Sequence, residues 1–193
     1  MTQMITGFWV TQIVRGAAMF GYADHLRHGP ASAEAIAEAE GLDAAATFRH
    51  LRACVTLGLV AHDGCAFRTT PLLETLRRDD PRSLRALALS QAAPGHWLSW
   101  GRFTDALRTG ERQTVPALGA EIFDYFAQHP TEAGDFTEAM SSLSAAVAGE
   151  VARVLDVVGI ERVVDVGGAA GRCSSRCLRS IPAFTGQSST SPA

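Results

Sequence analysis

The sequence predicts a mainly α chain that contains a winged-helix unit and continues into the first strand and glycine loop of an incomplete α/β domain. Three observations support this prediction. Apolar residues recur at helical spacing over most of residues 1–158. Signals for two helices, a hairpin and a third helix follow one another between residues 32 and 71. An apolar β-branched run then leads into closely spaced glycines at residues 163–171.

The composition allows a packed core and argues against several classes of protein. Apolar residues make up 47% of the 193 residues, which is enough for a globular core. The formal net charge is −3, so the chain has no overall basic excess that would attract a nucleic-acid backbone. No apolar run reaches the roughly 18 residues of a membrane span, and the N-terminus lacks signal-peptide features. We expect a cytoplasmic protein with no nucleic-acid and no membrane partner.

The four cysteines do not indicate a metal site or a disulfide framework. No pair among them has C-x-x-C spacing, and their positions are Cys54, Cys65, Cys173 and Cys177. We therefore expect no metal, and free thiols in a reducing compartment.

The first predicted helix, residues 5–26, is apolar around much of its circumference. It contains few charges and carries Phe8, Trp9, Ile13, Met19 and Phe20. A helix of this kind has to be covered by another surface. In a chain of this size, a second subunit is one candidate for that cover.

The next two helices are predicted from their caps. Ser32 is expected to cap a helix that ends at Gly41, and Asp43 to cap a helix that ends at Gly58. Core-facing positions of the second helix are Phe48, Leu51, Val55 and Leu57.

A hairpin and a third helix complete the winged-helix pattern. Two short strands are predicted at residues 59–61 and 66–68, joined by a turn at residues 62–64. Thr70 is then expected to cap a helix whose first residue is Pro71.

Four more helices and one strand are predicted downstream. The helices span residues 81–89, 96–107, 122–127 and 131–155, and the strand spans residues 162–166. The second of these helices places on one face Trp97, Trp100, Phe103 and Leu107.

The glycine loop is the strongest indication of a ligand site. Missing side chains let a ligand approach the backbone, and ligands bind α/β sheets after the carboxyl ends of strands. The pattern D-x-G-x-x-x-G differs from the dinucleotide pattern G-x-G-x-x-G and consists of Asp165, Gly167, Gly168 and Gly171. An acidic residue there suits the ammonium of an amino-acid-like ligand such as S-adenosylmethionine (SAM). An ordinary strand and turn is the alternative.

Several motifs together resemble the plant-type and bacterial polyketide-tailoring family of SAM-dependent O-methyltransferases. They are GPASAEAIAEAEGLDAAATFRHLRACVTLGLV, TPLLETLR, SLRALAL, W-x-x-W, LRTGE, FDYFAQHP and F-x-x-A-M-x-x-L-S. The resemblance covers nearly all of residues 5–171. It implies methyl transfer from SAM to a hydroxyl of a small aromatic molecule. It also implies a homodimerising, substrate-capping domain over residues 1–158 and a fragment of the Rossmann-like SAM-binding domain over residues 159–193.

The resemblance also assigns roles to individual residues. It implies that the SAM site is lined by Asp165, Gly167, Gly168 and Gly171, and that Met140 and Phe136 face the acceptor substrate. Trp97 and Phe126 are further candidates for this pocket, with plain core packing as the alternative. The family uses a downstream histidine as general base. None of the six histidines occupies that position, so no catalytic residue is assigned.

The tail after Gly171 departs from the family pattern. The family continues with an apolar helix, a Pro-Gly turn and a strand ending near V-F-D-L-P, whereas this chain has RCSSRCLRSIPAFTGQSSTSPA. Read one base earlier, codons for this tail allow A-L-L-L-A-L, H-P-G-L and V-F-D-L-P in that order. We therefore predict a frameshift at or just after Gly171 that truncates the enzyme and removes its competence. The alternative is a genuine tail whose fit reflects codon degeneracy.

Two other functions remain open at this point. A winged helix can bind DNA, with Arg49, His50 and Arg52 on its recognition helix. Against this, that helix has no Lys/Arg cluster and the preceding helix is acidic. In either case we expect His50 and His62 to be surface groups of the winged helix and not the general base. The chain could also be an inactive dimerisation partner of a full-length methyltransferase.

Overall fold

The computed structural model describes residues 1–154, and helices dominate this range. The chain begins with α1 (Thr2–Ile5), α2 (Gly7–Met19) and α3 (Tyr22–His25). The helix predicted over residues 5–26 is therefore interrupted twice, between α1 and α2 and between α2 and α3. The second break occurs at Gly21, whose φ of 57° is in the left-handed region that glycine adopts without strain.

The predicted order of two helices, a hairpin and a third helix is present. It consists of α4 (Ala33–Glu40), α5 (Ala44–Thr56), β1 (Val60–His62), β2 (Phe67–Thr69) and α6 (Pro71–Glu74). The strands are antiparallel, with Val60 opposite Thr69, and each lies one residue later than predicted.

All three predicted helix caps are confirmed. The side chains of Ser32, Asp43 and Thr70 accept hydrogen bonds from backbone N–H groups three residues ahead, which begin α4, α5 and α6. Such caps satisfy donors that the first helical turn leaves unpaired.

A hydrophobic core fills the space between α2, α3, α5 and the hairpin. Its largest fully buried side chains include Tyr22, Leu26, Ile36, Leu51, Phe67 and Leu73. The predicted inward face of α5 is partly wrong, because Phe48 is 39% exposed while Leu51 is fully buried. The helix turns Thr47, Leu51 and Cys54 inward, and Val55 and Leu57 pack at the edge of the core.

A second group of helices follows the hairpin unit. It comprises α7 (Arg85–Gln91), α8 (Pro94–Gly101), α9 (Phe103–Thr109), α10 (Thr114–Leu118), α11 (Ile122–Gln128) and α12 (Pro130–Val154). The helix predicted over residues 96–107 is two helices separated at Arg102, and α10 was not predicted. Because Arg15 and Arg85 donate to the carbonyls of Leu89 and Ala18, α7 is tied to α2.

Several predictions fall outside the described residues. They are the strand at residues 162–166, the glycine loop and the tail after Gly171. Within residues 1–154, no helix combines the length and the apolarity needed to cross a membrane.

Candidate functional site

A cluster of three aromatic rings lies where α8, α11 and α12 meet. We call His96, Phe126 and Phe136 the aromatic cluster. The Phe126 and Phe136 rings are 5.0 Å apart between centroids and nearly parallel, at 29°. The His96 ring lies 5.5 Å from Phe136 and 6.4 Å from Phe126. Phe126 is buried, whereas His96 and Phe136 are half-buried, so the cluster is partly exposed at His96 and Phe136, and we call this its open side.

The turn between α11 and α12 brings the two phenylalanines together. Proline is well suited to the start of a helix, since its missing N–H would be unpaired there in any case, and α12 begins at Pro130. Just before it, the His129 ring stacks on Tyr125 at 3.9 Å, and its Nδ1 donates to the Tyr125 carbonyl at 2.8 Å. This compact reversal lets Phe126 and Phe136 face each other from consecutive helices.

Glu132 ties α8 to the same junction. Its Oε1 accepts from the backbone N–H of Gly95 at 2.8 Å, and its Oε2 accepts from the Tyr125 hydroxyl at 3.1 Å. The residue before α8, Ala93, has no side chain that could cap the helix, so a carboxylate from α12 supplies an acceptor at its positive end. Burial, together with this hydrogen bond to Glu132, raises the pKa of Tyr125.

Gly95 is required by this arrangement. A Cβ at this position would lie 2.6 Å from Glu132 Oε1 and 3.2 Å from Tyr125 Cε1. The absence of a side chain therefore lets the Glu132 carboxylate reach the backbone of α8. The same contact fixes His96, the next residue, beside the phenylalanines.

The predicted acceptor-facing residues are only partly brought together. Phe126 and Phe136 stack, and Met140 lies one helical turn beyond Phe136 on the same side of α12, where it is half-buried. The Trp97 ring is paired instead with Phe8 of α2, at 6.4 Å. Trp97 therefore lies toward the N-terminal helix and apart from the stacked rings.

The sequence analysis assigned no role to His96. Its Nδ1 atom is shielded from solvent and has no hydrogen-bond partner among the described residues. The available signal was its position immediately before the W-x-x-W motif, where a titratable group interrupts an apolar stretch.

His50 is not the surface group that we expected. Its Nε2 lies 3.1 Å from the Ile13 carbonyl, and its Nδ1 lies 2.9 Å from the Tyr22 hydroxyl. Since a carbonyl only accepts, Nε2 carries the hydrogen and Nδ1 accepts from Tyr22. Burial lowers the pKa of His50. This histidine joins α2, α3 and α5 and is not available for DNA.

His62 was also expected at the surface, and the structure places it half-buried in the hairpin. Its ring lies 4.4 Å from Phe67. Among the described cysteines, Cys54 is buried and Cys65 is exposed, both as free thiols. Burial raises the pKa of Cys54 to about 12, which makes it unreactive.

A large apolar surface on the N-terminal helices is uncovered. We call Met4, Ile5, Phe8, Trp9 and Val10 the N-terminal apolar face; they are 80%, 65%, 50%, 57% and 43% exposed. Contiguous exposed patches of this kind mark interaction sites.

The predicted SAM site lies outside the residues that the structure describes. Asp165, Gly167, Gly168 and Gly171, the predicted SAM residues, lie outside the described range. Within residues 1–154, no group of three or more His, Cys, Asp or Glu side chains could hold a metal ion.

Family comparisons cover both halves of the chain. Residues 2–79 match the O-methyltransferase dimerisation domain, and residues 100–188 match the O-methyltransferase domain. The chain belongs to the O-methyltransferase family. The second match takes in α11 and α12, which carry Phe126, Phe136 and Met140. The DNA-binding alternative is not favoured by these matches.

Individual relatives agree with this assignment. The mitomycin biosynthesis 6-O-methyltransferase of Streptomyces lavendulae is 32% identical over 186 residues, which are 95% of this chain and 53% of the relative. The structure of LaPhzM superposes with a TM-score of 0.89 at 32% identity, covering 94% of this chain and 55% of that one. Human N-acetylserotonin methyltransferase, solved with SAM, is 25% identical with a TM-score of 0.84, covering 95% and 56%. The chain thus spans about half the length of the curated relatives it matches.

Proposed function

We propose that this chain provides the dimerisation domain and the acceptor-binding helices of a SAM-dependent O-methyltransferase that acts on a small aromatic hydroxyl compound. In this proposal, residues 1–158 dimerise and cap the substrate, and residues 159–193 belong to the SAM-binding Rossmann-like domain. The observation that supports the proposal most directly is the partly exposed aromatic cluster at the junction of α8, α11 and α12, in a chain of this family.

The aromatic cluster suits a flat acceptor. Aromatic rings bind one another by offset stacking or edge contacts, and Phe136 is half-buried at the open side. Met140, one turn along α12, adds a flexible thioether that adapts to irregular ligands. Relatives are named for phenazine and 3-amino-4-hydroxybenzoate, which supports an aromatic acceptor without identifying this one.

SAM would supply an electrophilic methyl group. Transfer of that methyl group would require an acceptor hydroxyl oxygen placed in line with it and a base to take the hydroxyl proton. No described residue is assigned as that base. The described residues would stack against the acceptor and hold its hydroxyl oxygen in line with the methyl group. The proposed SAM-binding residues are Asp165, Gly167, Gly168 and Gly171.

The N-terminal apolar face is the proposed homodimer contact. A patch of large apolar side chains that includes Trp9 is costly to leave in water. A second copy of the same face, related by two-fold symmetry, would cover it. This proposal includes no nucleic-acid or membrane partner.

Calorimetric titration of the full chain with SAM and S-adenosylhomocysteine tests the cofactor part. If the wild-type chain binds either compound, the Asp165→Asn variant should bind it at least tenfold more weakly, because the substitution removes a charge paired with the ligand ammonium. The matched control is Asp135→Asn, a carboxylate on α12 within the other proposed domain. Absence of binding by the wild-type chain would overturn the SAM site and leave a dimerisation module.

A further inference from the structure

The aromatic cluster contains one buried polar atom without a partner. His96 Nδ1 is shielded from solvent, and no donor or acceptor within residues 1–154 reaches it. Buried polar side-chain atoms are paired in most proteins, and each exception requires an explanation. The other side of the junction is fully paired, since both Glu132 oxygens are engaged by Gly95 and Tyr125. The unpaired nitrogen is therefore a local feature of the cluster.

The surroundings of this nitrogen are aromatic. The His96 ring is inclined by 33° to Phe136 and by 39° to Phe126, so a flat molecule beside these rings would bring its edge close to the imidazole. The ring of His96 is itself half-buried, and Nδ1 has no hydrogen bond that would hold it in place. Contact with a ligand would require a rotation about the side-chain bonds that turns Nδ1 toward the open side, and this rotation breaks no hydrogen bond of Nδ1.

The tautomer decides which ligand group fits. A neutral imidazole has one N–H and one lone pair. A buried N–H without an acceptor is rarer in proteins than a buried acceptor without a donor. The hydrogen is therefore assigned to Nε2, which leaves Nδ1 as an acceptor in an apolar setting.

We propose that His96 is a specificity-determining residue, whose Nδ1 accepts a hydrogen bond from a hydroxyl group of an aromatic ligand stacked on Phe126 and Phe136. This inference rests on the proposed function, because it assumes that the aromatic cluster is the acceptor site. An O-methylated ring has no hydroxyl donor, so His96 discriminates between hydroxylated and methylated forms at the position that it contacts.

The test compares two probes that differ in this donor. 2-Naphthol donates a hydrogen bond, and 2-methoxynaphthalene only accepts one. Equilibrium dialysis of both against the full wild-type chain and the His96→Phe variant gives a preference ratio for each protein. We expect the preference for 2-naphthol to fall by roughly three- to tenfold in the variant, as a single net hydrogen bond predicts. His96→Asn, which places an amide near the position of Nδ1, should restore part of it.

Matched controls separate this inference from folding and from the proposed function. His62→Phe changes another half-buried histidine beside a phenylalanine and should leave the preference unchanged. Phe136→Ala should weaken both probes together if the cluster is the site. Equal preference in the wild type and His96→Phe, with both probes binding and Phe136→Ala weakening both, would overturn the inference alone. A wild-type preference for 2-methoxynaphthalene that His96→Phe abolishes would overturn the acceptor assignment. Failure of both probes to bind would overturn the site and the inference together.

A spectroscopic readout is independent of affinity. The Nδ1 resonance of His96, identified by its loss in His96→Phe, should move on addition of 2-naphthol and stay in place with 2-methoxynaphthalene. A resonance that responds equally to both probes would contradict a hydrogen bond from the hydroxyl.

Discussion

Replacing Gly16 by alanine should destabilise the protein through His50. Gly16 lies inside α2, where this helix crosses α5, and the His50 ring occupies the space beside it. A Cβ on Gly16 would lie 2.7 Å from His50 Cε1 and 2.8 Å from His50 Nε2. Carbon contacts normally begin near 3.4 Å, so the ring has to move by several tenths of an ångström. That movement disturbs its hydrogen bonds to Ile13 and Tyr22.

The magnitude follows from three terms. Forcing a methyl group into a packed contact costs about 1–3 kcal/mol. Weakening two buried hydrogen bonds costs up to about 1 kcal/mol each. Alanine raises the free energy of unfolding by about 1 kcal/mol because it is a better helix former than glycine. These terms sum to a cost between roughly 0 and 4 kcal/mol, so we expect Gly16→Ala to lower the free energy of unfolding by about 2 kcal/mol, whereas helix propensity alone predicts a gain.

Urea unfolding followed by far-ultraviolet circular dichroism measures this difference, at one fixed protein concentration because the chain is expected to dimerise. Gly7→Ala is the control, since a Cβ at the start of the same helix meets nothing within 4 Å. In a His50→Ala background, Gly16→Ala should lose most of its cost, because the ring is gone. A Gly16→Ala variant as stable as the wild type would refute the reasoning. An undiminished cost in the His50→Ala background would show that another contact is responsible.

Three further predictions concern the pH dependence of stability, the hydrogen bonds of Glu132, and dimer formation. Because burial lowers the pKa of His50 below its ordinary 6.5, the folded state binds this proton less readily than the unfolded state. Stability should therefore be lost as pH falls below about 6.5, and urea midpoints between pH 5 and 7.5 should show a weaker slope for His50→Gln. Glu132→Ala should lower the free energy of unfolding in urea by about 2–3 kcal/mol, because two hydrogen-bond acceptors are lost, whereas Tyr125→Phe should lower it by about 1 kcal/mol. Equal effects of the two substitutions would contradict a contribution from the hydrogen bond between Glu132 and Gly95 of α8. Trp9→Glu should shift sedimentation velocity from dimer toward monomer, and Gln12→Glu, the same charge at an exposed polar position of α2, should not.

Much of the fold could be predicted because its signals are local. Ser32, Asp43 and Thr70 begin helices by accepting bonds from N–H groups only three residues away, so a few adjacent residues suffice to predict them. Gly41 ends α4 with a left-handed φ of 66°, which few other residues adopt. The same locality explains why the hairpin was predicted to within one residue.

The errors arose where a choice depends on partners distant in the chain. Gly21 divides the first predicted helix, although an isolated glycine within an apolar helical pattern does not by itself require a break. Arg102 separates two helices that share one continuous apolar pattern. Phe48 was predicted to face the core, but α5 is turned so that Leu51 and Cys54 face it, and the partly exposed Phe48 ring packs edge-on against Phe67 at 5.8 Å.

The candidate site was predicted in part. Phe126, Phe136 and Met140 were named through the resemblance, and the structure stacks Phe126 on Phe136. Trp97, on a neighbouring helix, pairs with Phe8 instead. His96 had no motif of its own. His96 was identified only because its Nδ1 is buried without a hydrogen-bond partner among the described residues, and this depends on how the helices pack.

The sequence alone determined the family, the order of the elements in the hairpin unit and the positions of the helix caps, because each depends on motifs or on neighbours within a few residues. Only the tertiary structure decided that His50 is an internal hydrogen-bonding group, that Glu132 holds α8, and that His96 faces two phenylalanines. His50 binds Ile13 across 37 positions, and Glu132 binds Gly95 across 37. Whether a polar side chain is solvated, paired or left unpaired is set by surfaces that meet only when distant helices pack.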